Sequence, residues 1–245
     1  NNILFDKETT HPYIIDFGLS IDIDQMKEIK NKTRENMNAF FINHSPGYIV
    51  WTPEVKYFTL MMYKGEDPTE EEVNSLTEDT MKAYSVFKEI FSADFMKKFK
   101  ALLNATYMQY REDMKEIPME DRLNVFFDNI LLPAWKTWDI HAMSRIYMQV
   151  VRALARLALE HDYMNNNLMI ELCQLLLMNM HPDYRKRPNQ PEEIIDEVER
   201  IYTTQNAETY DSFLGLQNGI NMNVKERTIL EESMTDSYDD ERKSV

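Results

Sequence analysis

The chain opens with two short apolar runs, residues 3–6 (Ile-Leu-Phe-Asp) and 13–15 (Tyr-Ile-Ile), separated by the polar stretch Lys7 to Pro12. Two brief runs about a polar turn predict a small β-hairpin. Residues 21–47 are polar and charged and end on the breaker Pro46-Gly47, which predicts a long surface loop holding a short helix. Beyond Lys64 the apolar period becomes helical. Thr69-x-x-Glu72 and Ser75-x-x-Glu78 have the form of capping boxes, in which side chains satisfy the free N–H groups of a helix start. Met81, Tyr84, Phe87 and Phe91 follow at helical spacing, then Phe95, Phe99, Leu102 and Leu103. A further run (Leu123, Phe126, Phe127, Ile130, Leu131) begins after Pro118, and Pro133 is its expected stop. Segment 65–132 is therefore expected to be several amphipathic helices. Residues 139–160 are apolar on nearly every face apart from three arginines, which predicts a buried central helix. A second apolar helix is expected over 167–180, ending near His181-Pro182, and an amphipathic one over 191–202 with Pro191 in its first turn. The stretch 231–245 is acidic and Ser-rich and is expected to be disordered. No internal repeat is present. The pattern reads as mainly α with a small β-hairpin.

Composition narrows the function classes. In 245 residues, 43% hydrophobic and 28% charged content is ordinary for a globular chain. A net charge of −15 disfavours nucleic acid as a partner, which would require a basic face. No apolar run reaches the length of a membrane span, so no membrane partner is expected. Cys173 is the single cysteine, which excludes an internal disulfide and fits a reducing, cytoplasmic setting. It sits in an apolar helix and reads as core. Five glycines argue against a Gly-rich phosphate loop in this segment. The five histidines show no metal-ligand spacing. Ser233, Ser237 and Tyr238, in acidic context, are candidate phosphorylation acceptors.

The chemistry-bearing residues lie at the two ends of the pattern. Asp16-Phe17-Gly18 directly follows the second expected strand, and Asn2-Ile3-Leu4 lies fourteen residues upstream, where the first strand starts. In order, spacing and strand context this resembles the protein-kinase superfamily, in which a catalytic loop ending in Asn leads through a short hairpin to Asp-Phe-Gly. The resemblance implies that Asn2 is the loop Asn and Asp16 the metal Asp. Phosphoryl transfer concentrates negative charge on phosphate oxygens, and hard oxygen ligands hold the Mg²⁺ (or Mn²⁺) that neutralises it. The carboxylate of Asp16 and the amide oxygen of Asn2 are suitable ligands. Leu4 and Ile15 would flank the bound ATP together with Asp16.

Three further motifs follow in family order. Trp51-Thr52-Pro53-Glu54 resembles the Ala-Pro-Glu element closing a kinase activation segment. Asp139-Ile140-His141-Ala142-Met143-Ser144 resembles the Asp-x-Trp-x-x-Gly start of the central helix. Asp183-Tyr184-Arg185-Lys186-Arg187-Pro188 resembles the late Asp-x-x-x-Arg-Pro turn. The resemblance implies a buried Glu54–Arg187 ion pair. It also implies that Asp139 accepts hydrogen bonds from a catalytic loop upstream of residue 1, without which it would be a buried carboxylate with few partners.

The resemblance covers residues 2–54 and 134–202. It departs from the family in a long helical insert at about 65–132, in Gly47 where Ser/Thr kinases usually carry Thr, and in His141 and Ser144 for the helix-start Trp and Gly. The catalytic base, the ATP lysine and the Gly-rich loop are not in these residues. Residues 1–230 are thus expected to be a protein-kinase C-lobe with inserted helices, the N-lobe lying outside them, and 231–245 an acidic tail. Divergence of this kind resembles kinases encoded by large DNA viruses, which adds the host cytoplasm and the virion as settings. The implied function is transfer of the ATP γ-phosphoryl group to Ser or Thr of a protein substrate, with the N-lobe as partner and a further protein partner at the insert. The alternative is a pseudokinase or structural component using the same fold as a binding platform.

Overall fold

The computed structural model describes residues 3–5, 12–14, 22–37, 40–41, 51–158 and 167–204. Most of these are helical. Strands β1 (Ile3–Phe5) and β2 (Pro12–Ile14) pair antiparallel, with Leu4 opposite Tyr13. Of the expected hairpin, the described residues hold only this three-rung ladder.

Local chemistry sets most helix boundaries. α1 (Ile23–Glu28) starts at Asp22, whose carboxylate accepts from the N–H groups of Asp24 and Gln25. α2 spans Arg34–Met37. The stretch expected as a surface loop is therefore pinned inward, since Met26, Met37 and Phe41 are fully buried. α3 (Pro53–Lys64) begins with Pro53, whose missing N–H falls where no helical bond is needed. It ends at Gly65, whose φ of 71° is left-handed backbone that a Cβ would disfavour. α4 (Glu70–Ala83) begins with the expected capping box: Thr69 Oγ1 accepts from Glu72 N–H, and the Glu72 carboxylate accepts from Thr69 N–H at 2.7 Å. The second expected box does not form, because Ser75 lies inside α4, already past that helix's start.

α5 (Ala93–Met114) is capped by Ser92. After α6 (Arg122–Phe126) the backbone widens into a π-helical turn, Phe127–Leu131, and resumes as α7 (Leu132–Ala134). Pro133 therefore does not stop the run as expected. It falls in the first turn of α7, where its lack of an N–H is tolerated. A short 3₁₀ turn leads into α8 (Trp138–Ala158), followed by α9 (Asn167–Asn179) and α10 (Pro191–Thr204).

Among the described residues two large apolar cores form, and a small third cluster, Leu175 with Ile201, joins α9 to α10. The first joins α3, α5 and the π-helical run, with Tyr57, Phe58, Tyr107, Tyr110, Phe126 and Phe127 at its centre. The second joins Tyr84, Phe87 and Phe99 to α8 and α9 through Met148, Val151, Met169, Cys173 and Leu176. The sequence predicts α8 to be buried on every face, and it is not: Met148 is fully buried, whereas Tyr147 is 53% and Val150 49% exposed. Apolar content alone does not reveal that only one side of α8 meets a neighbour. No helix among the described residues is long and apolar enough to cross a membrane.

Candidate functional site

Four segments meet around the Glu54–Arg187 pair. α3 supplies Glu54 in its first turn, directly after Pro53. The turn before α8 supplies Thr137, the start of α8 supplies Trp138, and the loop between α9 and α10 supplies Arg187. Arg187 Nη1 donates to Glu54 Oε1 at 2.9 Å and Nη2 to Oε2 at 2.8 Å, a bidentate pair between residues 133 apart in sequence. Both side chains are completely buried.

The guanidinium has five N–H donors, and all five are used. Two go to Glu54. Nη1 also donates to Thr137 Oγ1 at 3.1 Å, Nη2 to the Pro182 carbonyl at 3.1 Å, and Nε to the His181 carbonyl at 2.6 Å. Glu54 Oε1 accepts a further bond from the Trp138 indole N–H at 3.1 Å. Thr137 passes its own proton to the Ala134 carbonyl. Burial works against the Arg187 charge, but the Glu54 carboxylate more than offsets it and holds Arg187 above its ordinary value. The Glu54–Arg187 pair expected from the sequence is therefore present, and it ties the end of the segment at Trp51–Glu54 to the late Asp-x-x-x-Arg-Pro turn.

Around this pair lies a second buried polar group that the sequence does not announce. His141, where the resemblance expects Trp, is fully buried, with Nε2 at 3.2 Å from the Tyr84 hydroxyl. Its Nδ1 makes no hydrogen bond to any described residue. Burial pulls its pKa well below the ordinary value, and the nearby cations Arg187, Arg145 and Lys56 reinforce this. Arg145 lies 4.3 Å from the Tyr84 ring and donates to the Ala83 carbonyl. Lys56, two residues beyond Glu54, is fully buried, and burial, aided by Arg145 and opposed by Asp79, pulls its ammonium well below the ordinary range. Neither Lys56 nor Arg145 carries a sequence signal, because each lies within an apolar helical run. Ser144, expected as the small residue permitting close packing, is buried and accepts from Asn179 Nδ2 at 3.0 Å, joining α8 to α9.

A pH prediction follows from His141. In the folded protein it stays neutral, whereas unfolded it takes up a proton near its ordinary pKa of about 6.5. As the pH falls below that value the unfolded state binds more protons than the folded one, and stability drops. The wild type is expected to lose stability relative to His141→Gln by about 1.4 kcal/mol for each pH unit below the ordinary value, down to the folded-state pKa. Urea unfolding of both proteins at pH 7.5, 6 and 5 checks this. Parallel pH dependence in the two would show that His141 titrates alike in both states.

Asp139 corrects an expectation. It is exposed in the first turn of α8, where a carboxylate is favourably placed against the positive end of the helix dipole. It is therefore not the buried carboxylate that was expected where no upstream loop supplies it with hydrogen bonds. The expected metal and nucleotide residues Asn2, Asp16 and Ile15 lie outside the described residues, as do Gly47 and the 231–245 tail. Leu4 is placed in β1, with no description of its side chain. Among the described residues no group of three or more His, Cys, Asp or Glu is placed to hold a metal ion. No family model, curated protein or solved structure matches this chain.

Proposed function

We propose that the chain is the C-lobe of a divergent protein kinase, and that the protein of which it forms part transfers the γ-phosphoryl group of ATP to Ser or Thr of a protein substrate. One observation carries this reading. The Glu54–Arg187 pair is fully buried, bidentate and saturated with hydrogen bonds, and it joins the two motifs that the kinase resemblance pairs, with α8 beginning beside it at Trp138. A buried ion pair gains little net stability over an apolar equivalent, so retaining one with this geometry fits a role in fixing conformation. By resemblance, Asn2 and Asp16 hold Mg²⁺ or Mn²⁺, and Leu4 and Ile15 flank ATP. Residues 19–54 shape the peptide site.

A second reading, a kinase-like binding platform without catalysis, is favoured by Gly47 at the position where the family usually carries a Thr that contacts the catalytic Asp and Lys. One experiment separates the two. The protein carrying the residues upstream of Asn1 is assayed for transfer of labelled γ-phosphate to a mixed basic protein substrate. It is expected to be active, and Asp16→Ala is expected to reduce transfer to background while leaving the thermal midpoint within a few degrees. The isolated 245-residue chain is expected to show no transfer. Transfer that survives Asp16→Ala, or a full-length protein that binds partners but never phosphorylates, would overturn the enzymatic reading.

A further inference from the structure

The contacts between residues 22–41 and the helical insert are of a kind that fixes a segment in place. α1 has six residues and α2 four, both far too short to persist by helix propensity alone. Something outside them holds them. The Lys32 backbone N–H, between the two helices, donates to Asn124 Oδ1 of α6 at 2.8 Å. The Lys32 ammonium lies 4.3 Å from the Phe127 ring of the π-helical turn and also donates to the Ile29 carbonyl. Lys32 is 5% exposed, unusual for a lysine that stands in a surface segment. Lys27 sits over the Trp135 ring at 5.9 Å. Met26, Met37 and Phe41 enter the same apolar core as Phe126, Phe127, Ile130 and Leu131. Phe41 meets Trp51 and Phe58 edge-on, each at 5.5 Å, so the far end of the segment is anchored to α3 as well.

We propose that the stretch 122–131 of the insert is an internal brace for residues 22–41, which holds this segment ordered without any added phosphate. On the kinase reading, residues 22–37 and 40–41 are the described part of the run joining Asp16-Phe17-Gly18 to Trp51–Glu54. In protein kinases that run is commonly ordered by pairing an added phosphate with arginine. Here the ordering contacts include one backbone-to-amide hydrogen bond, two lysines over aromatic rings and three buried apolar anchors, and none of them needs modification. Asn124 and Phe127 are positioning residues, acting through the segment they hold. The assignment of that segment to a peptide site rests on the kinase reading; the brace does not.

Hydrogen exchange on the full chain tests the brace. Asn124→Leu removes the acceptor for Lys32 N–H, and Asn124→Asp retains it. Asn124→Leu is expected to raise amide exchange across residues 23–37 by about tenfold, the loss of one hydrogen bond of roughly 1.4 kcal/mol. Exchange across α5 should stay unchanged, and Asn124→Asp should match the wild type. Phe127→Leu, which nearly preserves volume, should shift residues 23–37 in the same direction by a few-fold. Unchanged exchange of 23–37 in Asn124→Leu overturns the brace, and so does an equal rise across α5, which would make Asn124 a residue of general stability. Phosphatase treatment of the purified protein is expected to leave 23–37 exchange unchanged, and a rise would overturn the phosphate-free ordering. The outcomes are separable from the phosphotransfer assay. Exchange as expected with transfer independent of Asp16 leaves the brace standing and removes the kinase reading. Asp16-dependent transfer with exchange indifferent to Asn124 does the reverse.

Discussion

Replacing Arg187 with alanine is expected to destabilise the protein by about 3–5 kcal/mol, the usual cost of stripping one partner from a buried ion pair. The magnitude follows from what remains. The Glu54 carboxylate stays fully buried with only the Trp138 N–H to stabilise it, and the carbonyls of His181 and Pro182 and the Thr137 hydroxyl each lose a donor. In a chain of this size the thermal midpoint should fall by roughly 6–20 °C. Glu54→Ala should be of similar severity, because it leaves a guanidinium buried with two of its five donors unpaired. The double variant should cost less than the sum of the two, with a coupling on the order of 2 kcal/mol or more. Replacing both by Leu or Met should recover much of the loss, since apolar pairs of similar volume avoid the desolvation cost altogether. Urea unfolding of the four proteins measures this. Additive single losses would mean that the pair, despite its 2.8–2.9 Å geometry, contributes nothing as a pair.

The pair was legible in the sequence because the kinase resemblance pairs the two short motifs in which its partners sit. Its supporting groups were not. Trp138 reaches Glu54 and Thr137 reaches Arg187 because the 3₁₀ turn after α7 delivers them to the pair, and no local spacing encodes that approach. Helical periodicity places α5, α9 and α10, since each carries a strong cap, an apolar stripe or a bounding Pro, but the run expected through Met81, Tyr84, Phe87 and Phe91 is broken, with α4 ending at Ala83 and a 3₁₀ turn over Ser85–Glu89. It failed where the answer depends on what lies opposite. α8 reads as apolar all round, yet its Tyr147 and Val150 face solvent while Met148 between them is sealed in the second core. Asp139 illustrates the same limit: its position in the first turn was legible, and its exposure was not. Residues 22–41 read as a polar loop because their anchors, Met26, Met37 and Phe41, are too sparse to register as a period. Sparse anchors suffice when the receiving core is already built by longer helices, which is how the insert comes to organise a segment that precedes it in sequence.

Phe126→Ala is expected to cost about 3–5 kcal/mol, the usual range for aromatic truncations in a core. Phe126 is fully buried at the point where α3, α5 and α6 meet. Its ring stacks on Tyr57 at 5.4 Å and Phe58 at 6.0 Å and meets Tyr110 edge-on at 5.5 Å. Its neighbours cannot easily collapse into the space, because Tyr57 and Phe58 are fixed on a capped twelve-residue helix and Tyr110 on one of twenty-two residues. The cavity term therefore adds to the transfer term in nearly full measure. Phe126→Leu keeps most of the volume and should cost only about 1–1.5 kcal/mol. The loss should be spatially selective. The first core also seats Met26, Met37 and Phe41, so exchange across 23–37 should rise in Phe126→Ala. The second core shares no buried residue with the first. Amides of α9 that exchange by local opening should therefore keep their wild-type rates. A variant within 1 kcal/mol of wild type in urea would show that the aromatic cluster repacks freely. Equal acceleration in both cores would show instead that they open as one cooperative unit, and that the insert and the α8–α9 layer stand or fall together.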